Sequence, residues 1–255
     1  MMSIRKKQIC GLLKGIETGD PASVVVVNQD KYIQHNPQTH DGGEGLAALF
    51  KRLSESNPRV NIVRVFEDGD YIFAHTEYDF AKSNIGFEVF RFEGDQAIEH
   101  WDNIQLRKGP NASNHSMVDG TTEVSDIHKT EVNRKIVSSF INEVLISGNI
   151  DALEHYIDTE CYIEHNPHLE DDILSLRTAL SKSAANGENV IQYKTNHRLL
   201  AEGNFVLSVS EGFTNGVHSA FYDLFRVSSG KLVEHWDTTE AISPRDEWKN
   251  NNGKF

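Results

Sequence analysis

The chain is poor in cysteine and has no excess of positive charge, and each shortage excludes a class of protein. Its 255 residues include two cysteines, spaced neither as a metal-binding pair nor as a redox motif, so a disulfide-rich secreted scaffold is excluded. The 25 Lys and Arg are outnumbered by 38 Asp and Glu, which gives a formal net charge of −13. Because an acidic surface repels a phosphate backbone, we expect no nucleic-acid partner.

Long apolar runs are also absent. No stretch is long enough to cross a bilayer, so no membrane partner is expected. The start of the chain has basic residues but only a broken apolar patch and no cleavage-like site, so no signal peptide is predicted. Glycine-rich phosphate loops and a Gly-x-Ser-x-Gly nucleophile elbow are missing as well. These absences favour a cytoplasmic protein with reduced thiols, no cofactor and no covalent serine mechanism.

What the sequence does contain is an internal repeat. Tyr32-Ile33-Gln34-His35-Asn36-Pro37 recurs as Tyr162-Ile163-Glu164-His165-Asn166-Pro167, an offset of 130 residues. Glu99-His100-Trp101-Asp102 recurs as Glu234-His235-Trp236-Asp237, an offset of 135 residues. Matches of this length in the same order indicate a tandem duplication, and the small drift in offset fits loop insertions.

The repeat sets the predicted domain boundaries. The region between the copies is punctuated by Gly, Pro, Asn and Ser and has no helical or strand period. We therefore predict a first domain over residues 1–108, a linker over 109–127 and a second domain over 128–255.

Each copy is predicted to begin with helices and to end with strands. Apolar residues recur at helical spacing near both starts, whereas the later segments are rich in β-branched and aromatic residues separated by turn formers. Three helices followed by an antiparallel meander give an α+β class, in which the sheet buries one face on the helices. The predicted strands are Asn61–Phe66, Tyr71–Phe80, Ile85–Phe92 and Ala97–Leu106, and then Lys194–Leu200, Asn204–Phe213, Ser219–Val227 and Leu232–Thr239.

The repeated motifs resemble the SnoaL-like, polyketide cyclase-like branch of the NTF2-like superfamily. They are the Tyr-Ile-x-His-Asn-Pro turn, the closing Glu-His-Trp-Asp strand, and an acid-x-Phe-Arg strand found as Glu88–Arg91 and Asp223–Arg226. The branch is named after an enzyme that performs an intramolecular aldol condensation. The resemblance implies two tandem cone-shaped domains, each with N-terminal helices packed on a curved antiparallel sheet around an apolar cavity. It also implies pairing through the sheets, as a pseudo-dimer within the chain or as a homo-oligomer.

Alternation along the two closing strands selects the predicted catalytic residues. Because strand side chains alternate between faces, His100 and Asp102 share one face, as do His235 and Asp237. Burial raises the pKa of a carboxyl group and makes it a competent general base, and an imidazole can donate to a developing enolate oxygen. The predicted substrate is a small apolar or carbonyl-containing molecule.

Further polar and aromatic residues near these strands are predicted to bind the substrate. Structural roles are open alternatives: the turn histidines could bond their own turn, the tryptophans could be packing residues, and each His-x-Asp could be a satisfied polar pair. No His-x-x-x-His or Cys pair brings metal ligands together locally, so no metal site is predicted. The predicted substrate-binding residues are His35, Tyr71, His75, Glu88, Trp101, His165, Asp223 and Trp236.

Three functions remain open from the sequence. The first is a cofactor-independent aldol cyclase, isomerase or dehydratase, the second a non-catalytic binding module for a small apolar ligand, and the third an interaction scaffold. The first copy is the better catalytic candidate, because its His75 is replaced by Val209 in the second. Opposite charges on neighbouring strands also predict two ion pairs, Arg91 with Glu99 and Arg226 with Glu234.

Overall fold

A computed structural model describes residues 2–255 and divides them into two compact units. The first unit comprises the residues up to Arg107 together with Ser243–Phe255, and the second comprises Lys108–Ile242. The units thus differ from the predicted boundaries, because the predicted linker packs within the second unit and the last residues pack within the first. Hydrogen bonds hold both segments in place. In the last residues, the main-chain N–H of Lys249 donates to the carbonyl of Pro37 at 2.9 Å. In the predicted linker, Asn111 Nδ2 donates to the carbonyl of Glu164 at 2.7 Å.

Two α-helices of the first unit cover one face of its sheet. Helix α1 (Ile4–Lys14) begins after Ser3, whose hydroxyl accepts a hydrogen bond from Lys6 N at 3.1 Å. Helix α2 spans Gly42–Ser54. Between them, the predicted second helix is a 3-10 helix over Pro21–Val26. These elements bury their apolar side chains against the sheet.

The first sheet has five strands in the order β1-β5-β4-β3-β2, where β1 runs parallel to β5 and the other neighbours are antiparallel. Four of them match the predicted strands within a few residues, whereas the two-residue β1 was not predicted. The short parallel strand places Gln34 beside His100 in the register. The strands are β1 (Ile33–Gln34), β2 (Arg59–Asp68), β3 (Tyr71–Asp79), β4 (Ser83–Glu93) and β5 (Gln96–Leu106).

The second unit repeats this architecture. Helix α3 (Thr130–Phe140) continues as a π-helix over Ile141–Ile146, followed by α4 (Leu153–Tyr156) and α5 (Ile173–Ser181). Its sheet has the order β6-β10-β9-β8-β7, again with a short parallel first strand. The predicted α+β class with two tandem domains is therefore confirmed. The strands are β6 (Ile163–Glu164), β7 (Ile191–Glu202), β8 (Phe205–Thr214), β9 (Val217–Ser228) and β10 (Lys231–Ala241).

Each unit has its own apolar core between the helices and the sheet. In the first unit, Ile9 and Leu12 of α1 pack with Ile72 and Phe90 of the strands. In the second unit, the same layer is built around Phe140, whose ring stands edge-on to that of Phe225 at 5.5 Å. Burying one such side chain contributes about 1.5–3 kcal/mol, so these layers fix the helices over the sheet that carries the site residues.

The structure also bears on membrane crossing and on disulfide formation. Within residues 2–255, no helix combines the length and the apolar character that a membrane span requires. Cys10 and Cys161 are both free thiols, and Cys161 lies exposed.

Candidate active site

The closing strand β5 of the first unit carries His100 and Asp102 into a cavity between the sheet and the helices. The cavity has a volume of about 180 Å³. Glu88 joins them there, because β4 pairs with β5 so that Glu88 lies opposite Asp102. The walls are mainly apolar and come from α1, α2 and the strands, among them Leu12, Leu13, Ile16, Leu46, Leu49, Phe50, Leu53, Phe80, Phe90 and Ile104.

His100 is held from both of its ring nitrogens. Its Nε2 lies 2.7 Å from Glu88 Oε2, and its Nδ1 lies 2.9 Å from Gln34 Oε1. The same Gln34 oxygen accepts the Asn36 main-chain N–H at 2.9 Å, so Nδ1 of the imidazole is the donor. Tyr78 donates to the other Glu88 oxygen at 2.7 Å. The imidazole of His100 and the carboxylate of Glu88 are therefore held in one fixed orientation.

Asp102 lies two residues further along the strand and is also buried. Asn36 Nδ2 donates to its Oδ2 at 2.5 Å. Lys254 Nζ lies 3.5 Å from its Oδ1, and this lysine is only 4% exposed. A carboxylate in an apolar cavity thus has one amide donor and one nearby cation, which stabilise its negative charge.

Tyr32 contributes a hydroxyl that is not used by the protein. Its side chain is 2% exposed and lines the cavity, and its OH has no hydrogen-bond partner among the described residues. Burial, followed by the charges of Glu88 and Asp102, raises the pKa of Tyr32 well above its ordinary value. The phenol is therefore a neutral donor. Leaving such a group unpaired costs about 1–3 kcal/mol, which an acceptor on a ligand would offset.

In the second unit, His235 lies between two carboxylates. Its Nδ1 is 2.9 Å from Glu164 Oε1, and its Nε2 is 3.2 Å from Asp223 Oδ1. Burial alone would lower the pKa of His235, but the charges and hydrogen bonds of Glu164 and Asp223 raise it well above its ordinary value. Burial would raise the pKa of Glu164, but the charge and hydrogen bond of His235, together with hydrogen bonds from Asn166 and Tyr162, lower it overall. His235 is therefore an imidazolium at neutral pH.

One of the residue differences between the two sites changes the partner of the tyrosine. Where the first copy has Gln34, the second has Glu164. Tyr162, the counterpart of Tyr32, donates to Glu164 Oε2 at 2.7 Å. The carboxylate thus engages both the histidine and the tyrosine of the second site, whereas the amide of the first site leaves the Tyr32 hydroxyl available.

Asp237 occupies the position of Asp102 in the second unit. Asn166 Nδ2 lies 3.0 Å and 2.8 Å from its two oxygens, as Asn36 does for Asp102. Burial raises the pKa of Asp237 to about 7, with Glu164 and Asp223 adding to the shift and His235 and Asn166 opposing it. A carboxyl group with this pKa can both accept and release a proton near neutral pH.

We expect the Asp237 carboxyl to make folding stability depend on pH. Its unfolded pKa is about 3.9, so between about pH 4 and 7 the folded chain keeps a proton that the unfolded chain releases. The folded state then loses up to about 1.4 kcal/mol per pH unit as the pH rises, a loss that Asp237→Asn lacks. Urea unfolding of both proteins across this range measures the difference. A difference that stays flat from pH 4 to 7 would contradict the shifted pKa.

The opposite face of each sheet holds several predicted substrate-binding residues. His35 stacks on Trp101 with ring centroids 4.7 Å apart, and Tyr71 lies 6.2 Å from the same indole. His75 lies on this face as well, with Nδ1 2.6 Å from Arg64 Nη1. None of these residues lines the cavity that His100 and Asp102 enter. The structure thus separates His35, Tyr71, His75 and Trp101 from the candidate catalytic residues.

The second unit repeats this separation. His165 stacks on Trp236 at 4.6 Å and meets Glu234 Oε1 through Nε2 at 3.0 Å. Asp223, in contrast, contacts His235 and also accepts from Tyr193 at 3.0 Å. His165 and Trp236 are therefore apart from the group of His235, Asp223 and Asp237.

The two predicted arginine–glutamate pairs are present. Arg91 Nε lies 2.6 Å from Glu99 Oε2, and Arg226 Nε lies 2.5 Å from Glu234 Oε2. Burial would raise the pKa of Glu234, but its hydrogen bonds to His165 and Arg226 lower it to about 2. These pairs fix the turn histidines from the side away from the cavity.

Sequence reasoning missed five residues of the first site. Four of them carried a signal: three belong to the repeated Tyr-Ile-x-His-Asn-Pro turn, and Tyr78 lies on β3, on the face opposite to Tyr71 and His75. Lys254 carried no signal, since it arrives from the far end of the chain. The missed residues are Tyr32, Gln34, Asn36, Tyr78 and Lys254.

Two clusters have ligand atoms close enough to share a metal ion. In the first unit, one ligand atom each of Glu88, His100 and Asp102 lies within 4.8 Å of the others. The Lys254 ammonium beside Asp102 already supplies a cation there. In the second unit, His115, Asp119 and His165 form the other cluster at the same spacing. The sequence predicted neither, because their ligands converge only through the fold.

Comparison with known proteins gives likenesses of structure only. No family model matches the chain, and no curated protein is significantly similar to it. An NTF2-like protein of unknown function from Burkholderia xenovorans is 11% identical, covering 42% of this chain and 88% of its own, with a TM-score of 0.38. IdmH of Streptomyces antibioticus, a proposed polyketide cyclase, is 15% identical. The match covers 40% of this chain and 93% of IdmH, with a TM-score of 0.35.

A third solved structure has a ketosteroid isomerase-like fold. This protein of Catenulispora acidiphila, solved with trimethylamine, is 15% identical, covering 42% of this chain and 88% of its own, with a TM-score of 0.33. At these identities nothing about activity follows. In each unit of the present chain, helices pack on a five-stranded sheet whose short first strand runs parallel to the last. The α+β architecture that the sequence predicts for each copy, helices packed on a mainly antiparallel sheet, is present in both units, and the resemblance to SnoaL-like proteins stays a prediction.

Proposed function

We propose that this protein is a cofactor-independent enzyme that moves a proton next to the carbonyl group of a small, largely apolar substrate. The observation that carries the proposal is the pairing, in one apolar cavity, of the Asp102 carboxylate with the unused Tyr32 hydroxyl. A base and a neutral donor on the same cavity wall are what enolisation requires. The aldol, isomerisation and dehydration reactions all begin with this step.

Asp102 acts as the general base in this mechanism. Its carboxylate accepts the proton from the carbon next to the carbonyl, and the electron pair of the broken C–H bond moves to the carbonyl oxygen to give an enolate. Tyr32 donates a hydrogen bond to that oxygen. In isomerisation, the protonated Asp102 returns its proton to a second carbon as the enolate oxygen re-forms a carbonyl group. In an aldol reaction, the enolate carbon attacks a second carbonyl group, whose oxygen takes the proton from Asp102.

The other polar residues hold these two groups in place. Asn36 orients the Asp102 carboxylate through the 2.5 Å hydrogen bond, and Lys254 Nζ lies 3.5 Å from its other oxygen. His100 lies beneath the Tyr32 ring, with centroids 6.5 Å apart, and is itself fixed by Glu88 and Gln34. We assign His100 a positioning role, since both of its nitrogens are already bonded.

The first unit carries the reaction in this proposal. In the second unit the corresponding tyrosine is engaged by Glu164, and His235 is locked between two carboxylates. A substrate oxygen entering that site would have to compete with Glu164 for the Tyr162 hydroxyl. Asp237 retains a suitable pKa, so its site keeps the base but not the free donor.

The second candidate is a non-catalytic binding module for a small apolar ligand. The mainly apolar cavity wall supports it, as does the Lys254 ammonium that lies beside the Asp102 carboxylate. Hydrogen exchange separates the two functions without knowledge of the natural substrate. The full chain is incubated in deuterium oxide with small cyclic ketones and β-keto esters, and deuterium uptake beside the carbonyl is followed by NMR. An enzyme accelerates the uptake, whereas a binding module shifts ligand resonances and leaves the exchange rate unchanged.

We expect Tyr32→Phe to lower the exchange rate by about 10²-fold, the effect of removing one donor to a developing oxyanion. The repeat supplies a matched control in Tyr162→Phe, which removes a hydroxyl bonded to Glu164. That variant should exchange at the rate of the unaltered protein. Equal rates for the two variants would remove Tyr32 from the mechanism.

A further inference from the structure

A second cluster of reactive side chains lies away from the histidine–aspartate pairs of the closing strands. One ring nitrogen each of His115 and His165 and a carboxylate oxygen of Asp119 lie within 4.8 Å of one another. His165 is buried, His115 is half-buried and Asp119 is exposed, so the cluster opens to solvent on one side. An ion could enter from that side and keep water on its remaining coordination positions.

The surroundings of His165 favour a cation. Its Nδ1 lies 2.7 Å from Asp119 Oδ1 and 2.8 Å from the Ser116 carbonyl oxygen, and both of these atoms are acceptors. Its Nε2 lies 3.0 Å from Glu234 Oε1. A neutral imidazole has only one N–H, which leaves one nitrogen lone pair facing oxygen atoms. A metal ion bound at Nδ1 would take up that lone pair, with Nε2–H donating to Glu234.

The partners of His165 are those typical of a metal-ligating histidine. Such a residue usually donates its other N–H to a carboxylate, which fixes the ring and raises its basicity. Glu234 provides that carboxylate and is itself held by Arg226 at 2.5 Å. The His165 ring also lies flat on Trp236, with an interplanar angle of 8°. The ligand is thus rigid before any ion binds.

The loop ligands are held by similar contacts. His115 bonds Asp171 Oδ2 through Nε2 at 2.9 Å, so this histidine also has a carboxylate partner. The main-chain carbonyl of Asp119 accepts the Trp236 indole N–H at 3.0 Å. The main-chain N–H of His115 is bonded to Asn111 Oδ1 at 2.9 Å. The loop that brings His115 and Asp119 to His165 is therefore fixed at both ends of the cluster.

We propose that His115, Asp119 and His165 bind a divalent transition-metal ion, with Zn²⁺ as the best match. Two imidazoles and one carboxylate are the donor types that Zn²⁺ takes, and three protein ligands leave an open position for water. The corresponding histidine of the first unit, His35, faces the carbonyl oxygen of Gly253 through Nδ1 at 2.7 Å. One ion per chain is therefore expected. This site is independent of the enolisation chemistry proposed for the first unit.

The test is a calorimetric titration of the full chain with Zn²⁺, repeated with Co²⁺ to follow the visible absorption of the bound ion. We expect one saturable site per chain. His115→Ala and Asp119→Asn should abolish it. Asp171→Asn, which removes the carboxylate beside His115 and keeps an oxygen for the Glu164 main-chain N–H, should weaken it by about 10–100-fold. His128→Ala, at an exposed histidine outside the cluster, should bind as the unaltered protein does.

The absence of saturable binding would overturn the proposal. Binding that survives in both His115→Ala and Asp119→Asn would also overturn it, because the ion would then lie elsewhere. Circular dichroism of each variant establishes that its fold is retained. Because Asp119 is exposed, its replacement by the near-isosteric Asn keeps the test valid if His115→Ala fails to fold.

Discussion

Replacing Asp102 with Asn is expected to lower the carbonyl hydrogen-exchange rate by about 10²–10⁴-fold while leaving the fold and ligand binding intact. The amide has nearly the shape of the carboxylate and can still bond Asn36, but it cannot accept a proton from carbon. Its loss of charge also leaves Lys254 without its anionic neighbour. Deuterium uptake measures the rate, and ligand-induced shifts of NMR resonances measure binding.

The control for this substitution is Asp30→Asn, at an exposed aspartate outside the cavity, which should exchange at the unaltered rate. A double variant, Asp102→Asn with Asp237→Asn, removes the base from both units and reports any exchange that the second site contributes. If turnover in the double variant equals that of the unaltered protein, neither aspartate is the base. Lost binding along with lost exchange would show that Asp102 holds the substrate rather than taking its proton.

Replacing His235 with Gln is expected to destabilise the second unit by about 3–5 kcal/mol at pH 6. The imidazolium balances two buried carboxylates, Glu164 and Asp223, at 2.9 and 3.2 Å. Glutamine keeps a polar group there but has no charge, so both carboxylates become uncompensated or must take up protons. Urea unfolding followed by tryptophan fluorescence measures the loss.

The pH dependence of this loss has a defined sign. Folding raises the pKa of His235, so its contribution to the free energy of unfolding is fully present below its unfolded pKa of about 6.5. This contribution declines as the pH rises toward the pKa in the folded state. Folding lowers the pKa of Glu164, so its contribution to the free energy of unfolding is present above its unfolded pKa of about 4.3 and is lost as the pH falls. The effect of His235→Gln should therefore be greatest between about pH 5 and 6.5. His100→Gln, which uncovers only Glu88, is the matched variant and should cost less. Equal losses of unfolding free energy in the two variants would contradict the role of His235 in balancing two carboxylates.

The sequence by itself determined the duplication, the α+β class and the face of each closing strand. The offsets between motifs exposed the repeat, and the period-two alternation placed His100 with Asp102 and His235 with Asp237, because a strand cannot present neighbouring residues on one face. The opposite charges of Arg91 and Glu99 likewise needed only their positions on adjacent strands, which the turn between them fixed.

Only the tertiary structure decided which other residues join these pairs. The turn motif forms a two-residue strand parallel to the closing strand, which puts Gln34 beside His100, Asn36 at the cavity and His35 on the far face with Trp101. No local pattern reveals this, because a parallel partner so far along the chain is chosen by packing rather than by a turn. For the same reason Lys254 beside Asp102, and the meeting of His115 with His165, could not be predicted: both depend on chain segments that return from a distance and are held by hydrogen bonds that exist only in the folded protein.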